Sequence, residues 1–387
     1  MVILFALLIP IVTAFVLWKL FERKTLWWEF LIPFMVSIVL VIAAKLIVDT
    51  AFVRSEEYWG SFVDRVEYYE KWDEWINETC TRECCCDSDG NNCSTETYDC
   101  SYCRTHSPEW ILINTIGERI SISRNEYEWL KKRLGNDKFV DMHRDYHRID
   151  GDMYTSIWER DSLRATPVTT LHYYDNKVKA SDASVFHFDD IDTADVRRYG
   201  LKEYPSILDR YKMDAVIGDQ SRDAVTANAK LKYANAELGH RKQICMFVLV
   251  FKDQPLEAAF KQEAYWKGAN MNEFVVCVGI NGDREVQWSK VISWTTNERL
   301  KMDVTEMVNK QKELDLCSLV DHMRPMVSEG FVRRDFKEFD YLTVEPPAWA
   351  IVLVYIIVAL VNVGISFWVV NNEHDEEGSS WRRRYMY

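Results

Sequence analysis

Gln243–Phe251 reads QICMFVLVF, and Glu273–Ile280 reads EFVVCVGI. Both runs are of strand length, almost continuously apolar and rich in valine and isoleucine, the signature of strands buried on both faces. Between them, Pro255 opens a helix that runs to Trp266, and Gly268 ends it. Upstream, RDAVTANAKLKYANAELG (222–239) has the composition of a helix with a glycine stop. Downstream, Asn281-Gly282-Asp283 is a hairpin turn signal. Residues 285–294, EVQWSKVISW, form the partner strand, and 298–328 return to helix. The order helix, strand, helix, strand, strand, helix predicts a parallel crossover followed by a hairpin. That gives a mixed α/β sheet covered by helices, in a domain spanning 222–347.

The chain around this domain has 387 residues and a formal net charge of −13. The acidic balance argues against a nucleic-acid partner, because phosphate neutralisation needs clustered Lys and Arg. Apolar residues concentrate at the two ends. Residues 2–18, 30–52 and 348–370 are predicted to be three transmembrane helices, since about 20 apolar residues cross a hydrocarbon core. The first two form a hairpin over 1–52. It reads as uncleaved, because the first segment has no basic leader and no small-residue cleavage site before the next span. Lys19, Arg23 and Lys24 lie between the first two segments, and Arg382, Arg383 and Arg384 lie in the tail, 371–387. Basic residues stay cytoplasmic. The expected topology is an integral membrane protein with the N-terminus outside, residues 53–347 extracytoplasmic and the C-terminus in the cytoplasm. Lys45 and Asp49, four apart in the second span, read as an interfacial pair that snorkels to water.

Seven of the ten cysteines fall between residues 80 and 103: Cys80, Cys84, Cys85, Cys86, Cys93, Cys100 and Cys103. Such a segment has too little apolar surface to hold itself. Two chemistries compete. Disulfides fit an exported location. Zinc would use Cys100, Cys103 and His106 beside the Cys84–Cys86 run. Cys245 and Cys277 sit in apolar strand patterns and read as buried free thiols. Asn77-Glu78-Thr79 and Asn92-Cys93-Ser94 match the N-glycosylation acceptor pattern.

These cysteines belong to a Cys-rich subdomain over 53–150. At its start, aromatics spaced three and four apart (Tyr58, Trp59, Phe62, Tyr68, Tyr69, Trp72, Trp75) predict an amphipathic helix over 53–79. Residues 110–122 read as two short strands around Gly117. Ser123 and Glu126 form a capping box for a helix ending near Gly135. His143 and His147, four apart, with Asp150 and Asp152 nearby, form a candidate metal site for zinc or calcium, weighed against a salt-bridged surface. Residues 151–221 read as a polar, acidic connecting region with Asp182, Asp189, Asp190, Asp192 and Asp195 crowded together.

Residues 222–310 resemble the TPM domain, a family of membrane-tethered extracytoplasmic α/β domains. The resemblance is carried by the helix near Leu231–Leu238, the strand Ile244–Phe251, Tyr265-Trp266-Lys267-Gly268 and the Asn270–Asn272 turn. It continues through the strand Phe274–Ile280 and Arg284-Glu285-Val286. It implies a module at the membrane face that helps assemble or maintain a complex and in some members binds calcium. Phosphatase activity is associated with some relatives, but no catalytic residue maps onto this chain. The remaining sequence is similar to uncharacterised membrane proteins of large bacteriophages and bacteria.

No Walker loop, nucleophile elbow, HExxH or dinucleotide fingerprint occurs. The expected function is therefore a non-catalytic, membrane-anchored binding or assembly protein without a required cofactor. Its partners would be the bilayer and another membrane or envelope protein, and the sequence also admits a homo-oligomer. Trp266, Asn270 and Asn272 are the candidate binding residues, by analogy with the loops of open α/β sheets; the alternative is that they pack and cap turns. A membrane-tethered metal-dependent hydrolase, using Asp214 and Asp219 or the His143/His147 cluster, is the competing reading. A channel or transporter component comes third, on Lys45 and Asp49 alone.

Overall fold

The computed structural model describes residues 2–20, 27–84, 94–134, 138–142, 153–157, 166–179, 188–205, 213–344 and 347–384. The chain divides into two compact units. One comprises Met1–Glu56, Tyr173–His187 and Asp335–Tyr387, and the other Glu57–His172 and Phe188–Arg334.

In the first unit, α2 (Trp27–Val53) and α9 (Ala348–Arg384) are long and apolar enough to cross a membrane, over Leu31–Val53 and Ala348–Trp368. Three such helices were expected. The first apolar segment instead splits into a 3-10 turn, Val2–Leu8, and the short helix α1 (Ile9–Leu20). Pro10 sits at the junction and has no backbone N–H to carry an α-helical ladder through it. Ala6, Val41, Val354 and Val358 pack together. Among them the structure places a polar contact: the Asn362 amide nitrogen donates to Ser37 Oγ at 2.8 Å, with both side chains fully buried. Lys45 lies on the exposed side of α2.

The second unit contains the mixed sheet. Strand β12 (Cys245–Lys252) runs parallel to β13 (Glu273–Ile280), and β14 (Val286–Ser293) pairs antiparallel with β13. The crossover and hairpin are as the sequence reads. All eight residues of β13 and the first seven of β12 are buried. A two-residue strand, β11 (Val216–Ile217), adds in parallel to β12. It was too short for periodicity to reveal.

Helices surround this sheet. Helix α5 (Arg222–Lys242) buries Ala224, Ala227, Leu231, Ala234 and Leu238, one stripe of a 3.6-residue period. Its N-cap is Ser221, whose Oγ accepts from Ala224 N at 3.1 Å. Helix α6 (Glu257–Tyr265) supplies the second crossover. The single helix expected over 298–328 is two, α7 (Glu298–Asn309) and α8 (Leu316–Gly330). The break forms where Leu314 N donates to Arg284 O at 2.9 Å and Asp315 caps α8 through Ser318 N at 2.8 Å.

The other sheet of this unit overturns the helix expected over 53–79. That segment is the long strand β1 (Arg54–Tyr69) followed by β2 (Trp72–Ile76). Strand β1 lies between β6 (Glu109–Asn114) and β9 (Met153–Ile157). Strands β7 (Arg119–Ile122), β8 (Lys138–Met142) and β10 (Pro167–Asp175) complete six strands. The register slips between Val63 and Arg65. This bulge inserts one residue, so Val63 and Val66, three apart, both face the core with Leu112 and Ile120. A helix-like spacing thus arises in a strand. The capping box forms as expected on α3 (Arg124–Leu134): Glu126 N donates to Ser123 Oγ at 3.2 Å, and Ser123 N to Glu126 Oε2 at 2.7 Å. Residues 151–221 carry β9, β10, β11 and the helix α4 (Thr193–Tyr199), which Asp192 caps through Asp195 N at 2.7 Å.

Candidate functional site

Trp266, Asn270 and Asn272 fall in a buried polar seam at the start of β13. Trp266 is 7% exposed; its Nε1 donates to Lys202 O at 2.8 Å, and its ring meets Tyr204 edge-on at 5.0 Å. Asn270 donates through its backbone N and Nδ2 to the two carboxylate oxygens of Glu273, at 2.9 and 2.8 Å. The Tyr204 hydroxyl donates to the same carboxylate. Burial and the neighbouring Glu273 charge push both Tyr204 and Cys245 well above their ordinary pKa. Asn272 Nδ2 donates to Tyr58 O at 2.8 Å, joining β13 to β1. Lys267, Gly268 and Ala269 hold positive φ angles of 49°, 80° and 65°, so the chain turns tightly into this seam. These side chains bond one another and backbone groups, except for Asn272 Oδ1, which is buried without a hydrogen-bond partner among the described residues.

Asp219, a candidate hydrolase carboxylate, lies just beyond β11, at the carboxyl end of the parallel strands. Its side chain is 2% exposed. It accepts from Arg284 at 2.8 Å and from the Ser221 hydroxyl at 2.9 Å, with Lys252 at 3.4 Å. Burial acts to raise its pKa, but the bonds from Arg284 and Ser221 outweigh that and hold it at about 2. A carboxylate so held is a poor proton acceptor near neutrality. Asp214 accepts from Asn228 Nδ2 at 2.8 Å. Lys202, half-buried beside Lys252, has its pKa lowered by burial and by that second ammonium.

The metal candidates His143, His147, Asp150 and Asp152 lie outside the described residues. So do Cys85, Cys86 and Cys93, while Cys84 is described only as the end of a strand. Among the described residues no group of three or more His, Cys, Asp or Glu side chains gathers to hold a metal ion. Cys80 and Cys100 form a disulfide, with Cα atoms 5.8 Å apart. Cys103 is exposed and free, and Cys245 and Cys277 are buried free thiols, as their strand patterns suggested. Burial pushes the Cys277 thiol up to about 12.

The disulfide clamps a feature that the helix expectation concealed. Strand β2 pairs antiparallel with β5 (Tyr102–His106), from Trp72↔His106 to Ile76↔Tyr102. Strand β3 (Thr79–Cys84) pairs with β4 (Ser94–Asp99), from Thr79↔Asp99 to Cys84↔Ser94. Together they make a two-stranded ribbon between Trp72 and His106. At its base Trp72 stacks on His106 at 4.2 Å, and His106 contacts Glu74 at 2.8 Å. At the step between the two ladders, Cys100 N donates to Glu78 O at 3.0 Å beside the Cys80–Cys100 bridge. Trp75, Tyr98 and Tyr102 are 48%, 43% and 47% exposed. The signals were present in the sequence: alternating TCTREC and STETYD flank the turn-forming Asp87–Asn92.

No known protein family, curated protein or solved structure matches this chain.

Proposed function

We propose that this protein is a membrane-anchored, non-catalytic binding or assembly protein, and that its ribbon, outside the membrane, is the binding element. One observation carries the reading: a thin, disulfide-clamped ribbon exposes three large aromatic rings. A two-stranded ribbon has no core of its own and is marginal in water. Closing its 20-residue loop with the Cys80–Cys100 bridge contributes about 3 kcal/mol by the loop-entropy model. Holding exposed rings in a fixed geometry lowers the ordering cost of binding a partner.

Other features support the same reading. Helices α2 and α9 have the length and composition of membrane spans. The basic residues Lys19, Arg23, Lys24 and Arg382–Arg384 favour cytoplasmic ends, with residues 53–347 on the other side. A disulfide belongs to that oxidising side. The crossover-and-hairpin order over 222–310 is the feature on which the TPM resemblance rests, and that resemblance would imply an assembly role at a membrane face. The partner would be another membrane or envelope protein.

The test is thiol labelling in intact cells with a reagent that cannot cross lipid, comparing the native chain with Cys103→Ser. Loss of part of the label in the variant is expected. Equal labelling of the two, with Cys103 reached only after permeabilisation, would set the reading aside.

A further inference from the structure

The ribbon carries a charge that its own residues do not balance. Among its described side chains, Asp73, Glu74, Glu78, Glu96 and Asp99 are acidic, whereas Arg82 and Arg104 are basic. Among the described residues, Arg82–Glu96 at 3.0 Å is the ion pair with both partners on the ribbon, beside the His106–Glu74 contact. Asp73 and Asp99 accept from the hydroxyls of Thr105 and Ser101, which orient them without neutralising them. The Ser101 bonds also lower the Asp99 pKa, so it stays charged in mild acid. Glu78 is exposed, with its backbone held by Ser101 and Cys100.

One of the exposed rings, Tyr98, already holds a cation. The Arg82 guanidinium lies over the Tyr98 ring at 5.5 Å, a cation–π arrangement. We infer that the ribbon docks a cationic protein surface, whose Arg and Lys side chains lie against the exposed rings and pair with the ribbon's carboxylates. This rests on the binding reading above and names the partner's chemistry. Charge argues against the alternatives. A second copy of a chain with net charge −13, an anionic lipid surface and a nucleic acid would each be repelled.

The experiment uses the full chain in zwitterionic nanodiscs and two fluorescent 12-residue probe peptides, one alternating Arg and Gly, the other Glu and Gly. Anisotropy should report binding of the Arg probe, weakening as salt rises, and none of the Glu probe. Trp75→Ala with Tyr102→Ala should weaken the Arg probe at least tenfold, and Glu78→Lys several-fold. Replacing residues 77–101 by a Gly-Ser linker should abolish binding. Equal binding by the linker variant, no binding by the native chain, equal uptake of the Glu probe or association with anionic vesicles would each overturn the inference. If the probe fails while Cys103 still labels from outside the cell, only the partner's chemistry falls. If Cys103 does not label, the binding reading falls with it.

Discussion

Gly60 on β1 and Gly239 on α5 meet backbone to backbone. A Cβ on Gly239 would lie 2.4 Å from the nitrogen and the carbonyl oxygen of Gly60, and one on Gly60 would lie 2.3 Å from the Asn235 carbonyl. The six-stranded sheet and the mixed sheet's helix layer share this contact within one unit. Asn272 on Tyr58 O and Arg333 on Glu57 at 2.8 Å reinforce it.

This contact makes the sign of a substitution diagnostic. In an ordinary helix interior, Gly→Ala stabilises by about 1 kcal/mol. Here Gly239→Ala must push two backbones apart, and a loss of about 2 kcal/mol or more is expected. Gly282, whose Cβ would meet nothing within 4 Å, is the control and should change by less than about 0.5 kcal/mol when replaced by Ala. Chemical denaturation of the two variants in detergent measures both; a gain for Gly239→Ala would show that the layers do not touch there.

The same glycine shows where sequence reading stops. Strands β12 and β13 were legible because a fully buried strand needs an unbroken apolar run of strand length, bounded here by turn and helix signals. Gly239 reads as a helix stop, yet α5 runs on to Lys242 and ends at Gln243, with φ 51°. Its role is set by Gly60, 179 positions away, and no local pattern encodes such a contact. Strand β1 was missed for a related reason: the bulge between Val63 and Arg65 breaks its period of two, and Trp72 and Trp75 belong to the next strand, β2, rather than to one continuous face. The three candidate binding residues fall together at the tight turn before β13, where Asn270 bonds the buried Glu273 carboxylate while Trp266 and Asn272 bond backbone carbonyls. The ribbon's flanking alternation, TCTREC and STETYD, is legible in the sequence, but the same stretch also carries the cysteines whose spacing admits zinc.

Asp219 should govern acid stability. Its folded pKa of about 2 lies below the ordinary 3.8. The unfolded chain therefore takes up a proton first, and the stabilisation is full above pH 4 and lost as pH falls through 2. The shift corresponds to about 2 kcal/mol. Asp219→Asn should lose roughly that at neutral pH and flatten the stability profile between pH 4 and 2. Arg284→Met should cost more than Asp219→Asn, because it strands a buried carboxylate. Urea midpoints at pH 7 and pH 3 decide it; an unchanged profile in the Asn variant would show that Arg284 does not hold this group.

Thiol reactivity should sort by burial. Cys103 is exposed, whereas Cys245 and Cys277 are fully enclosed and their pKa values are raised by burial. Only thiolate reacts quickly. In the native protein, iodoacetamide at pH 8 should modify Cys103 within minutes. Cys245 and Cys277 should remain unmodified until denaturant is added, as read by peptide mass mapping. Early modification of Cys277 would mean that β13 opens locally.

Asn362 offers a prediction of the opposite sense. Its Nδ2 donates to Ser37 Oγ at 2.8 Å and to Val358 O at 2.7 Å, yet its Oδ1 is buried without a hydrogen-bond partner among the described residues. Ser37 in turn donates to Pro33 O at 2.7 Å. Polar contacts between apolar helices average about 0.6 kcal/mol, because the separated helices also find partners. An unpaired buried carbonyl costs about 1–3 kcal/mol. Those magnitudes set the sign. Asn362→Leu removes the unpaired oxygen along with the bond, so it should be neutral or slightly stabilising. Ser37→Ala takes away an acceptor while leaving the amide in place, so it should destabilise by about 1 kcal/mol. Unfolding in mixed micelles with rising SDS ranks the two. If Asn362→Leu lost more than about 2 kcal/mol, a range reached by breaking a buried polar network, the amide would have to be a register lock between α2 and α9, retained for specificity at a cost in stability.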